Sequence, residues 1–266
     1  MITRRSLLKR AVGAAAGTLS GIAGPALRAL RAMGHASLFR FAQVRYEGNW
    51  HGRPTAPTTI LSEVDLRTSV RVSFETVSVS PAQSRLFRFP FLWLTGDRAF
   101  APWPDQAVRN LRRHLRFGGM LFADDISGRE DSAFSRSFGR ELNRILPGRD
   151  PQRLSSEHAL YRSYYYISRP AGLSVRNGFM DAVSIDDRAA VLWSRNDLSG
   201  ALARSKAGGW RYELKGNEPD GRELAVRLGV NLVVYALSVN YKRDQVHVSY
   251  RLRHPTRYPE TSPPDR

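Results

Sequence analysis

FPFLWLTGDRAFAPWPDQAVRNLRRHLRFGGMLFADD, residues 89–125, contains a strand, a helix and a second strand, in that order. Phe89-Pro90-Phe91-Leu92-Trp93-Leu94 is a nearly continuous apolar run closed by Thr95-Gly96. A run with no polar alternation is buried on both faces, as in the centre of a parallel sheet. Pro90 stands at its start, where a missing N–H is tolerated. Pro104 opens a helix with Val108, Leu111 and Leu115 on one face, and Gly118-Gly119 stops it, following the asymmetry of proline at the start and glycine at the end. Met120-Leu121-Phe122-Ala123 is a second buried strand, terminated by Asp124-Asp125.

The same alternation extends both ways. Upstream, Phe39–Tyr46 predicts a first strand, residues 48–54 a loop, and Thr58 or Thr59 the cap of a helix with Ile60, Leu61, Val64 and Leu66 on its apolar face. Val70–Phe74 alternates with period two and predicts another strand. Downstream, Asp131 or Ser132 caps a helix carrying Phe134, Phe138, Leu142 and Ile145, which Pro147-Gly148 ends. Leu154–Ile167 is ambiguous and dense in tyrosine. Ala189–Trp193 predicts a late strand, and a long helix follows from about Glu218 to Val239. Strands alternating with helices at these spacings predict an α/β fold, a three-layer open and mainly parallel sheet.

The chain begins Thr3-Arg4-Arg5-Ser6-Leu7-Leu8-Lys9, followed by a weakly apolar Ala- and Gly-rich run from Ala11 to Leu30. This is the pattern of a twin-arginine signal peptide. It predicts an exported protein, periplasmic or extracellular. The glycines, Pro25, Arg28 and Arg31 argue against a membrane-spanning helix there. The predicted organisation is a leader at 1–36, a single α/β domain at 37–250 and a loose tail at 251–266.

The formal charge of +17 falls to +11 once the leader's six basic residues are set aside. The remaining arginines are scattered among apolar residues rather than gathered with stacking aromatics, which argues against nucleic-acid binding. Weak attraction to anionic envelope surfaces fits better. The mature part has no apolar stretch long enough to span a membrane. There is no cysteine, so disulfides, thiolate metal sites and a cysteine nucleophile are excluded.

In an open α/β sheet, ligands gather at the carboxyl ends of the strands. Arg45 and Trp50, Thr95 and Gly96, Asp124 and Asp125, and Ser194 and Asp197 all fall at such ends. The adjacent pair Asp124-Asp125 is suited to holding a divalent cation or sharing a proton. It is equally suited to capping a turn and pairing with an arginine. His158 is a candidate base, and Tyr164 a candidate wall for a sugar-like or flat ligand. No phosphate loop or nucleophile elbow is present, and no cofactor is specified.

In order along the chain come Arg45-Tyr46 with Trp50, Phe91–Gly96, Leu111…Leu115…Gly118-Gly119-Met120-Leu121, Asp124-Asp125, and Phe134…Phe138…Glu141. Glu157-His158…Ser163-Tyr164, Ser194…Asp197-Leu198 and Leu228-Gly229-Val230-Asn231…Tyr235-Ala236 follow. Over about residues 38–240 the chain resembles the bacterial family called domain of unknown function 4159. The resemblance implies a flavodoxin-like fold similar to class I glutamine amidotransferases, in an exported or membrane-joined setting. That relationship would also imply a cysteine nucleophile after a central strand, where this chain has Asp124-Asp125. Glutamine hydrolysis by the thioester route is therefore excluded. Three functions remain expected: a non-catalytic domain binding an envelope protein or a small polar or glycan-like ligand, a hydrolase using Asp124, Asp125 and His158, with or without a metal, and a mainly structural accessory protein that uses its basic surface.

Overall fold

The computed structural model describes residues 38–216 and 220–253, with side chains as far as Ser238 in the last helix. The predicted leader at 1–36 lies outside the described residues, as does the predicted tail at 251–266 apart from residues 251–253, which continue the last helix. The parallel strands are β1 (Ala42–Val44), β2 (Val77–Val79), β3 (Phe91–Gly96), β4 (Met120–Asp125) and β7 (Arg188–Ser194). Two further strands, β5 (Gln152–Arg153) and β6 (Asp181–Ile185), pair antiparallel and extend the sheet beyond β7. The seven strands lie in the order β2-β1-β3-β4-β7-β6-β5.

Two cores cover the sheet. On one face α1 (Ala56–Arg67), α4 (Leu198–Leu202) and α5 (Gly221–Arg253) pack on Phe91, Trp93, Phe122 and Leu192. On the other, α2 (Asp105–Arg116) and α3 (Ala133–Ile145) pack on Leu92, Leu94, Leu121 and Val191. Alternate residues of β3 and β4 therefore enter opposite cores, and both strands are buried throughout. This is the three-layer α/β sheet that the apolar runs predict.

Local details differ where tertiary packing overrides pattern. Thr58 and Thr59 lie inside α1, with both hydroxyls bonded back to the Thr55 carbonyl, and Thr55 is the cap residue. Leu66 is exposed rather than in the apolar face. Val70–Phe74 forms only a bridge from Val72 to Phe39, and the strand lies a few residues later as β2. The hairpin β6–β7 was not legible. Its turn residues Asp186 and Asp187 have φ of 49° and 61°, the left-handed pair of a type I′ turn, without the glycine that usually marks one. Ser132 caps α3, its Oγ accepting from the Ser135 N–H.

Candidate functional site

The chain runs from β1 through α1 to β2 on one side, then crosses to β3 and continues outward through β4. Neighbouring strands β1 and β3 thus send their following helices, α1 and α2, to opposite faces. A crevice must open beyond their carboxyl ends, which is the switch point where doubly wound folds place ligands. A cleft of about 480 Å³ lies there, lined by Arg45, Tyr46, Glu47 and Trp50 after β1, Ser80 and Pro81 after β2, and Pro102 and Trp103 after β3. Arg45 and Glu47 are exposed and Trp50 half-buried. Trp103, almost wholly buried, stacks on Phe100.

The loop after β1 is fastened to the end of β3. The Thr95 hydroxyl donates to the Trp50 carbonyl at 2.8 Å, and the Tyr46 hydroxyl to the Thr95 carbonyl at 2.9 Å. Asn49 donates to Asp97 at 2.8 Å. Asp97 is held below its ordinary range despite the opposing effect of burial, because Arg98 and Asn49 hydrogen-bond its charged form. Burial raises the Tyr46 hydroxyl, and the Asp97 charge adds to the effect, so the phenol stays protonated. A Cβ on Gly96 would overlap the Phe134 ring and the Tyr46 hydroxyl. Gly96 is thus what lets this loop close onto the strand.

Asp124 and Asp125 are adjacent in β4, so their side chains point to opposite faces of the sheet. Asp125 accepts from the Ser127 N–H at 2.9 Å, from the Ser132 hydroxyl, and from the Ser135 hydroxyl at 2.5 Å. It anchors the start of α3. Asp124 accepts from the Leu198 N–H at 3.1 Å, the Ser199 N–H at 2.7 Å and the Ser199 hydroxyl at 2.6 Å. It anchors the start of α4. Both carboxyls are fully buried. Burial pushes Asp124 up to about 7, the Asp197 charge adds to this, and the Ser199 bonds oppose it.

Asp197 caps α4 from a left-handed conformation, φ 52°, and accepts from the Gly200 N–H at 2.6 Å. Arg53 reaches it from the loop after β1 with two bonds, Nε to Oδ1 at 3.2 Å and Nη2 to Oδ2 at 2.7 Å. The guanidinium lies over the Tyr212 ring, 4.5 Å from its centroid. Burial raises Asp197 and Arg53 pulls it down; the net shift is upward. Ser194 is buried opposite Asp124 in the β4–β7 register, and its Oγ accepts from the Asn196 N–H at 3.2 Å.

His158 stands elsewhere. Its ring packs on Tyr235 at 5.4 Å, and the Tyr235 hydroxyl accepts from Ala189 N–H at the amino end of β7. Its Nδ1 accepts from the Leu160 N–H, and burial lowers its affinity for a proton. Tyr164 also lies toward that end, its hydroxyl on the Arg67 carbonyl at the finish of α1. The structure thus brings Arg45, Trp50, Thr95 and Gly96 to one cleft and its supporting strand. It brings Asp124, Ser194 and Asp197 into a sealed polar layer beside it. It sets Asp125 on the other face, and His158 and Tyr164 near the opposite rim. Among the described residues no cluster of three or more His, Asp and Glu is placed to share a metal ion.

Arg53 and Trp103 were not singled out from sequence. Arg53 sits in a loop recognisable only by its Gly, Asn and Pro content, and its partner is 144 positions away. Trp103 carries the one usable signal, an aromatic residue between Pro102 and Pro104 just beyond a strand's carboxyl end. Residues 40–237 match the family described as Domain of unknown function (DUF4159). No curated protein matches the chain significantly. The match covers most of the sequence, and the chain belongs to that family.

Proposed function

Starting from membership of this family, we propose that the protein is an exported, non-catalytic domain that binds a small polar, glycan-like ligand in the cleft beyond β1 and β3. The observation that carries the reading is the lining of that cleft. Half-buried Trp50 supplies flat apolar surface, Trp103 adds the small part of its ring that is exposed, and Arg45 and Glu47 supply a donor and an acceptor. Sugar rings, with an apolar face and a polar edge, are matched by such a wall. Export is supported by the Thr3–Lys9 motif and the Ala- and Gly-rich run after it.

The hydrolase reading has less support. A nucleophile or carboxylate must sit within hydrogen-bond reach of its base. His158 lies toward the amino end of β7, and Asp124 and Asp125 are occupied by helix starts on opposite faces.

Tryptophan fluorescence of the purified protein, titrated with N-acetylglucosamine and glucose oligomers, tests the binding reading. A saturable change is expected with at least one, and Trp50→Ala should abolish it while leaving far-UV circular dichroism intact. No saturable change, or binding by Trp50→Ala equal to wild type, refutes it. For export, a reporter fused to residues 1–36 should cross the membrane. It should fail to do so when Arg4 and Arg5 are both changed to Lys.

A further inference from the structure

The amino-terminal rim of the sheet, opposite the cleft, has a composition of its own. Phe117 caps the end of α2 with 74% of its surface exposed, and Phe87, in a short 3-10 turn at Ser84–Arg88, is 39% exposed. The Arg113 guanidinium lies between them, 5.4 Å from the Phe87 centroid and 5.7 Å from that of Phe117. Arg85 and Arg88 are exposed on the same turn. Phe87, Arg88, Arg113 and Phe117 line an open cavity of about 550 Å³ together with Pro90, His114 and Gly119. Leu66, at the end of α1, and Phe74, ahead of β2, are also exposed toward this rim.

Neither residues 81–90 nor 106–120 contain a carboxylate. Carboxylates reach this rim from other segments: Glu63 and Asp65 in the last turns of α1, Glu223 of α5, Glu75 ahead of β2 and the Asp186–Asp187 turn, with Glu63 and Glu223 paired to Arg67. Phe87 and Phe117, ringed by arginine and carried on residues 81–90 and 106–120 with no acidic residue among them, match an anionic membrane interface. The rings enter the boundary between headgroups and acyl chains, and the guanidinium groups pair with phosphates.

We infer that this rim docks on an anionic lipid surface, with Phe87 and Phe117 entering the interface and Arg85, Arg88 and Arg113 engaging the headgroup phosphates. The cleft at the opposite rim then faces away from the bilayer. The inference is independent of the ligand proposed for that cleft.

Vesicle co-sedimentation of the full chain tests it, using phosphatidylglycerol–phosphatidylcholine vesicles beside phosphatidylcholine alone. Because every variant carries the leader, its contribution is constant. Wild type should bind the anionic vesicles preferentially and be released by high salt, which screens the arginines. Arg85→Gln/Arg88→Gln should weaken binding about fivefold for each arginine removed. Phe117→Ser, a change at a surface position, should weaken it about tenfold, and Trp210→Ser, at an exposed aromatic stacked on Arg204 near the start of α1 and so toward the opposite rim, should not. Thermal melts confirm that each variant folds. Absence of binding by wild type overturns the inference. So does binding by the Phe117 and Arg85/Arg88 variants equal to wild type, which would assign the affinity to the leader.

Discussion

Replacing Arg53 with Met removes one charge from a nearly buried pair while keeping an apolar side chain of similar length. Arg53 is 17% exposed in its side chain and Asp197 only 3%. Asp197 then keeps the Gly200 N–H but loses both guanidinium bonds, and Asp124 stands nearby as a second buried carboxyl. Removing one partner of a buried pair costs about 4 kcal/mol when the survivor stays charged. For a domain of this size that lowers the melting temperature by about 8–16 °C. The cost depends on pH in a defined direction. The folded-state pKa of Asp197 is already raised with Arg53 present and rises further without it. A carboxyl whose folded pKa exceeds its unfolded value favours folding at low pH and loses that contribution as pH rises toward the folded value. At pH 5 the loss should therefore be smaller than at pH 8, and what remains is the share of the hydrogen bonds and the stacking on Tyr212. Urea unfolding of wild type and Arg53→Met at pH 5 and pH 8 measures this. Arg53→Met/Asp197→Asn should recover about 2 kcal/mol at pH 8, since the uncompensated charge is gone while Asn can still accept from Gly200. Equal losses at both pH values, or no recovery in the double variant, would refute the reasoning.

Burial pushes His114 down to about 4, so between that value and the unfolded value of about 6.5 only the unfolded chain binds the proton, and stability rises with pH by about 3 kcal/mol. Asp124, pushed up to about 7, slopes the opposite way. The His114 contribution is therefore read as the difference between wild type and His114→Gln in urea midpoints, which should change sharply from pH 4 to pH 7. Gly96→Ala forces the Phe134 ring and the Tyr46 hydroxyl to move. It should cost about 1–3 kcal/mol by denaturant titration. Asp186→Asn/Asp187→Gly supplies the residues that two left-handed positions favour. It should raise stability by about 1 kcal/mol in the same assay.

What the sequence made legible was the part of the fold that burial alone dictates. Phe91–Gly96 and Met120–Asp125 are buried on both faces, so their apolar runs have no alternative in water, and they frame α2 between them. The edges were harder to read because other forces decide them. Val70–Phe74 has the right alternation, yet Phe74 is 52% exposed; without a second partner to bury that face, pattern does not become a strand. Asp186-Asp187 turns a hairpin through positive φ, a conformation that neighbouring strands enforce and that aspartate tolerates without advertising.

The site divides along the same line. Topology brings the strand ends to one rim, and Arg45 and Trp50 line a cleft there, with Thr95 bonded to the Trp50 carbonyl from the neighbouring strand. Adjacency misled for Asp124-Asp125. Two consecutive residues of a strand serve opposite faces, so a pair that looks like a shared site in sequence is two separate anchors, one for α4 and one for α3. The period-two rule that identified β4 already contained that separation. Arg53 shows the complementary case. Nothing near it in sequence foretells Asp197, because the pairing exists only once β1 and β7 lie in one sheet and their following loops converge. A buried charge pair spanning 144 positions is a product of topology. That is why its loss should be felt at both the loop that shapes the cleft and the helix that closes the polar layer behind it.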